Sequence, residues 1–328
     1  MKLDPTKRHA LASLSSLLAA PWSYAADVPE SWPSRPVRLI VPYSAGGNAD
    51  ATARALSTPL TEKMGQQVLI DNRPGGGGSI GAAVVAKAPA DGYTLLLDAT
   101  SFTVNPLLMP KLPYGGLADF APIALLTRAP LLLVVPANSP FKNVADLIQY
   151  ARTHRGKLSY ASAGNGGAQH LAGELFKQTT QSSITHIPYR GGAPALTDLI
   201  AGQVDAMFSA TSASGPFVRA GKLRALGVTS AQRLEGYPQV PTLAEHGVAD
   251  VEVAEWNGLF APAATPSHIV ARLEADVRAL VSSPALSRRW SEMGVLGVGA
   301  GTAEFSRFLA HESQRWARVI KTAGIRID

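Results

Sequence analysis

The chain has 328 residues, long for one core and comfortable for two domains. An apolar share of 46% against 16% charged excludes a disordered chain, and the absence of cysteine excludes disulfides, thiolate metal sites and a lipid-modified cysteine anchor. The net charge of +6 is spread out, with no Lys/Arg cluster interleaved with aromatics, so nucleic-acid binding is not indicated.

Residues 1–25 have the parts of an export signal. Lys2, Lys7 and Arg8 form a positive start, "ALASLSSLLAA" an apolar stretch too short to span a bilayer, and Ser23 and Ala25 a small-residue cleavage pattern. "TKRHAL" is a loose relative of the twin-arginine pattern, so general and twin-arginine export both stay open.

From Arg35 onward, strands and helices alternate, which predicts an α/β fold with mostly parallel strands. "VRLIV" (37–41) reads as a buried strand, followed by a helix over 49–64 that Gly65 stops and Pro59 should bend. A strand at 68–72, a short helix at 79–88 and a strand at 93–98 come next. The apolar run 121–135 reads as strand material crossing between lobes. A second series begins at Asn143, with helices at 143–155, 167–179 and 194–202 and strands at 158–162, 184–189, 204–209 and 223–229. An extended segment at 251–262 precedes three helices, about 266–282, 284–293 and 302–322, which lack strands of their own and should pack on the first lobe. The chain therefore divides into lobe 1 (26–135 and 255–328) and lobe 2 (136–254), with a cleft between them that permits hinge closure.

Several short motifs match chemistry that their context contradicts. Gly76, Gly78 and Gly81 satisfy G-x-G-x-x-G, with Asp98 where a ribose-binding acid would sit, but Asn72 to Gly75 separate the motif from its strand. Residues 77–81 satisfy G-x-S-x-G around Ser79, again without the tight strand-to-helix turn of a nucleophile elbow. His170 and Glu174 share a helix face but lack a third metal ligand. No catalytic residue, metal site or cofactor is expected, and an exported serine hydrolase using Ser79 stands as the alternative.

"VPYSAGGNADATARAL" (41–56) is a strand, a Gly-Gly turn and a helix. The unpaired N–H groups of a helix start attract anions, and the missing P-loop lysine favours a carboxylate over a triphosphate. "SYASAGNGGAQHL" (159–171) repeats the arrangement in the second lobe. If the lobes face each other, the two turns address one space beyond the carboxyl ends of the strands.

In chain order, "WPSRPVRLIVPYSAGGNADATARAL", "QVLIDNRPGGGGSIGAAVVAKAPADGYTLLL", "NPLLMPKLPY", "GKLSYASAGNGGAQHLAGELF", "HIPYRGGAPALTDLIAGQVDAMF" and "LRALGVTS…YPQVPTLAEHG" cover essentially the whole chain after residue 25. With these segments the sequence resembles the Bug proteins, periplasmic receptors of tripartite tricarboxylate transporters. The resemblance implies a two-lobed, type II-like periplasmic binding fold, a Venus flytrap closing on a small carboxylate held largely by backbone amides and ordered water. Carried onto this chain, it implies ligand contacts from Tyr43, Ser44, Ala45, Gly46, Gly47 and Asn48 in the first lobe. In the second lobe it implies Ser162, Gly164, Asn165, Gly166 and Gly167, with the N–H groups of Gly47 and Gly166 facing the carboxylate.

Thr100 and Ser101, Tyr189 and Asp205 end strands and are further candidates for the cleft wall. Asp205 fits a structural acceptor equally well. Many relatives have Phe or Pro at the position of Tyr43 and Thr or Ser at that of Gly167, and "DATSFTVNP" differs from their commoner versions. Tyr43 and Phe102 are expected to add aromatic surface near the mouth, which leaves a dicarboxylate, an amino acid and an aromatic acid all open. The reading is a periplasmic, monomeric, non-enzymatic receptor whose partner is a membrane transporter of the tripartite type. A ligand-sensing role in signalling needs the same cleft and stays open.

Overall fold

The computed structural model describes residues 32–326, so the export signal expected over 1–25 lies outside the described residues. The strands are β1 (Val37–Val41), β2 (Val68–Asn72), β3 (Thr94–Ala99), β4 (Phe120–Pro136), β5 (Leu158–Ser162), β6 (Ile184–Pro188), β7 (Ala206–Ala210), β8 (Leu223–Val228), β9 (Ala254–Pro262) and β10 (Leu296–Gly301). The helices are α1 (Asn48–Met64), α2 (Ser79–Ala86), α3 (Ser101–Leu108), α4 (Val144–Thr153), α5 (Ala168–Thr180), α6 (Gly192–Ile200), α7 (Thr211–Arg219), α8 (Ser267–Val281), α9 (Pro284–Glu292) and α10 (Thr302–Ala323).

The strands join in the order β2-β1-β3-β9-β4-β7-β5-β6, with β8 and β10 also pairing with β4. β4 organises the molecule. Its residues from Phe120 to Pro130 run antiparallel to β9, and Leu131 to Pro136 run antiparallel to β7 and β8. One strand thus serves both lobes, which explains its unbroken burial from Leu131 to Pro136.

The sheet is mixed rather than mostly parallel. Among the described strands, parallel ladders join β1 with β2 and β3, and β5 with β6 and β7, while β4 and β9 bring antiparallel partners to the centre. The C-terminal helices also have a strand of their own: β10 pairs antiparallel with β4. Its sequence, "LGVGAG", is half glycine and lacks the β-branched alternation that marks a strand. Two further helices, α3 and α7, lie in stretches to which the sequence reading assigns no element. Each contains a proline, Pro106 or Pro216, and is only 8 or 9 residues long.

Pro59 lies inside α1, which still runs 17 residues to its Gly65 cap at φ +69°. Phe102 is 1% exposed and stacks on Phe260 at 4.2 Å between ring centroids, with Phe120 edge-on at 5.1 Å. It belongs to the first-lobe core and not to the mouth of the cleft. The same core holds Trp256 and Phe305, and a Cβ on Gly258 would meet the Phe305 ring at 2.2 Å. Glycine there lets the aromatic lie flat on the strand.

Candidate functional site

Helix starts from both lobes converge where β1 and β5 end. α1 begins at Gly47 and α5 at Gly167, both extended, and neither start is capped by a side chain. The first-turn N–H groups of an α-helix have no intrahelical acceptor, and the helix dipole makes that end positive. Between the two starts lies a narrow cavity lined by Gly47, Asn48 and Ala49 on one side and by Gly164, Asn165, Gly167, Ala168 and Gln169 on the other. Tyr43, Thr100, Ser101, Gly192, Ser209 and Glu255 complete most of its wall. The space open to the centre of a water-sized sphere is about 20 Å³, room for one or two waters as the lobes stand.

The lobes meet closely at the rim, and glycine makes that approach feasible. A Cβ on Gly77 would lie 2.7 Å from the carbonyl oxygen of Asn165, and one on Gly191 would lie 2.2 Å from Ser44 Oγ. Gly47 faces Gly192 in the same way at van der Waals distance. Ser212 Oγ donates to Asn48 Oδ1, and Gln169 Nε2 donates to Glu255 Oε2 at 2.9 Å.

Each loop is held from behind. Asp50 accepts from Gly46 N at 2.9 Å, Arg54 Nε at 2.9 Å and Asn72 Nδ2 at 3.1 Å. Burial opposes its ionisation, but these hydrogen bonds keep the carboxyl below its ordinary range. In the second loop, His170 Nδ1 accepts from Gly166 N at 3.1 Å, and His186 Nε2 bonds Ser162 Oγ at 2.7 Å. The two imidazoles stack at 4.0 Å, and burial pushes them down to about 4 for His170 and about 3 for His186, so both are neutral at pH 7. Tyr43 Oη donates to Asp98 Oδ1 at 2.8 Å and contacts Ser101 Oγ. Burial pushes Asp98 up to about 7 against hydrogen bonds from Ala99 N and Tyr43.

Of the positions expected from sequence, Tyr43, Gly47, Asn48, Thr100, Ser101, Gly164, Asn165 and Gly167 line the cavity. The others sit elsewhere, each for a physical reason. Ala45 and Gly46 are exposed, the Gly46 N–H is taken by Asp50, and Ser44 packs on the rim at Gly191. Ser162 lies fully buried beneath its loop, with Oγ bonded to Gly164 and His186. The Gly166 N–H is not free for a ligand because it donates to His170. Tyr189 Oη donates to Asp198 at 2.7 Å, and Asp205 accepts from Ser159 N and Oγ at 2.8 and 2.9 Å. Sequence reasoning missed Gly77, Gln169, Gly192 and Glu255. Gly77 and Gly192 lay in visible glycine runs, whereas nothing local marked Glu255 as facing a cavity.

The tempting motifs resolve structurally. Ser79 is buried at the start of α2, and no hydrogen bond joins it to a histidine among the described residues. Gly81 packs against Pro42, where a Cβ would come within 2.7 Å, and Gly76–Gly78 form a short 3-10 turn. Among the described residues no three His, Asp or Glu side chains gather as a metal group. A larger, more open groove of about 1090 Å³ runs past Arg128, Arg219, Arg288 and Arg315. Helix starts from both lobes define the smaller cavity as the candidate site.

Two lobes on a shared pair of strands, closing over facing helix starts, define a solute-binding protein of the periplasmic type. The chain belongs to the TctC family, described as tripartite tricarboxylate transporter family receptor, whose model matches residues 52–325. This is a family of substrate-binding receptors and not of enzymes. BugT of Bordetella pertussis is 35% identical over 91% of this chain and 92% of its own. The solved structure of the periplasmic binding protein BugD superposes with a TM-score of 0.87 at 33% identity, over 90% of this chain and 99% of that one. Rpa4515 of R. palustris, solved with adipate, gives a TM-score of 0.87 at 40% identity, over 90% and 99%.

Proposed function

We propose that this chain is an exported receptor that captures a small organic acid between its lobes and delivers it to a tripartite tricarboxylate-type membrane transporter. The observation that carries the reading is the pair of uncapped helix starts, α1 and α5, facing one cavity that no Lys, Arg or His among the described residues lines. A carboxylate placed there accepts from backbone N–H groups of both lobes, so its binding energy is realised only when the lobes are together. The adipate in the related R. palustris protein supports the chemical class. The lobes turn about β4 near Pro130 and the start of β9, and the receptor acts as a periplasmic monomer. Membership of a family described as tripartite tricarboxylate transporter receptors supports the delivery step.

A thermal-shift and calorimetric screen against mono-, di- and tricarboxylates, amino acids and aromatic acids tests this. A ligand at 100 times its Kd adds about 2.7 kcal/mol of stability. A shift confined to carboxylates is expected. Shifts from neutral sugars or amines with none from carboxylates would overturn the reading.

A further inference from the structure

Glu255 is the one acidic side chain among the described residues of the cavity wall, and it stands on β9, the strand that returns between the lobes. It is 7% exposed. Its Oε2 accepts from Gln169 Nε2 at 2.9 Å, and the Asn48 side-chain amide also hydrogen-bonds the carboxyl. The donors to it are the neutral amides of Asn48 and Gln169, and among the described residues no Lys, Arg or His lines the cavity. A carboxylate buried with two neutral donors and no cation is poorly compensated. Burial accordingly pushes this carboxyl up to about 7.

The wall therefore has two unlike ends. Helix starts supply positive potential without a cation, and Glu255 supplies a carboxyl without a counter-charge. A plain dicarboxylate satisfies the first end but brings more negative charge to the second. A ligand carrying a carboxylate and a cationic nitrogen satisfies both, and the nitrogen becomes the missing partner of Glu255. We infer that Glu255 sets the ligand class as an aminocarboxylate, with the carboxylate on the starts of α1 and α5 and the ammonium group on the Glu255 carboxylate. This rests on the receptor reading above and narrows it.

Matched pairs test it: L-aspartate with succinate, L-glutamate with glutarate, and 6-aminohexanoate with hexanoate, titrated calorimetrically at pH 7.5 into the full receptor and into Glu255→Gln. At least one amino member should bind the wild type tenfold or more tighter than its deaminated partner. Glu255→Gln should weaken that amino member by roughly thirtyfold or more, the scale for removing one partner of a buried charge pair, while leaving its partner unchanged or tighter. Deaminated partners that bind the wild type as well as the amino members would overturn the inference and leave the carboxylate receptor standing. So would a preference that survives Glu255→Gln. If no carboxylate of either series binds the wild type, the receptor reading fails with it. The wild-type pair ratios do not depend on the variant folding, and the melting temperature of Glu255→Gln checks that it does.

Discussion

Gly77→Ala should act as a wedge between the lobes. Gly77 sits at φ +58°, and an added Cβ would lie 2.7 Å from the Asn165 carbonyl oxygen across the cleft. Ordinary contact begins near 3.4 Å, so the loops must part by roughly 0.7 Å or the neighbouring backbone must give. Forcing one extra carbon into a packed contact costs about 1–3 kcal/mol. That cost falls on the closed state alone, so the affinity of the best carboxylate should drop by roughly 5- to 150-fold. The left-handed backbone strain is present whether the lobes are open or closed and cancels from binding. Gly65→Ala supplies the control: Gly65 is at φ +69°, and its Cβ would meet nothing within 4 Å. It should lower the melting temperature without changing Kd. Calorimetry gives the affinities, and small-angle scattering should show a larger radius of gyration for ligand-saturated Gly77→Ala than for the saturated wild type. Equal Kd values for Gly77→Ala and the wild type would refute the claim that ligand closes the lobes at this contact.

Gly47→Pro fits the local φ of −84° but removes an N–H at the start of α1, and calorimetry should show at least a tenfold weaker carboxylate affinity with the circular dichroism spectrum unchanged. Asp98 and Glu255, both raised to about 7, favour the folded state fully below pH 4, and that contribution is lost as pH rises through 7. A rise of this size corresponds to at most about 4 kcal/mol for Asp98 and less for Glu255. His170 and His186 have the opposite sign, their contribution being complete above pH 6.5 and lost as pH falls through 4 and 3. Asp98→Asn, which keeps an acceptor for Tyr43, should therefore flatten the fall in melting temperature between pH 5 and 8; curves parallel to the wild type would contradict this. Phe305→Ala in the first-lobe core should cost about 3–5 kcal/mol in denaturant unfolding while leaving carboxylate affinity within twofold.

Regular elements with strong periodicity were legible in the sequence, and so were both glycine turns that start α1 and α5. Helix α3 hid behind Pro106 and α7 behind Pro216, because short proline-containing helices owe their existence to packing. β10 hid because Gly297, Gly299 and Gly301 lack side-chain signal, although its ladder to β4 is plain in three dimensions. In the site, sequence names the loops but not which of their N–H groups are spent. Gly46 and Gly47 are adjacent, yet Asp50 occupies one N–H and the other begins a helix. Gly166 is occupied by His170, a contact set by the stacked histidines. Glu255 was illegible for a different reason. Its cavity exists only once β9 is laid beside β4 and the lobes are brought together, and no local pattern encodes that juxtaposition.

The most direct test is a crystal structure of the receptor with the carboxylate that binds most tightly in the screen. The ligand carboxylate should lie between the starts of α1 and α5, within hydrogen-bond distance of backbone N–H groups from Gly47 to Ala49 and from Gly167 to Gln169, directly or through one ordered water. A ligand seated in the arginine-lined groove, or held in the cleft by side chains alone with those helix starts untouched, would contradict it.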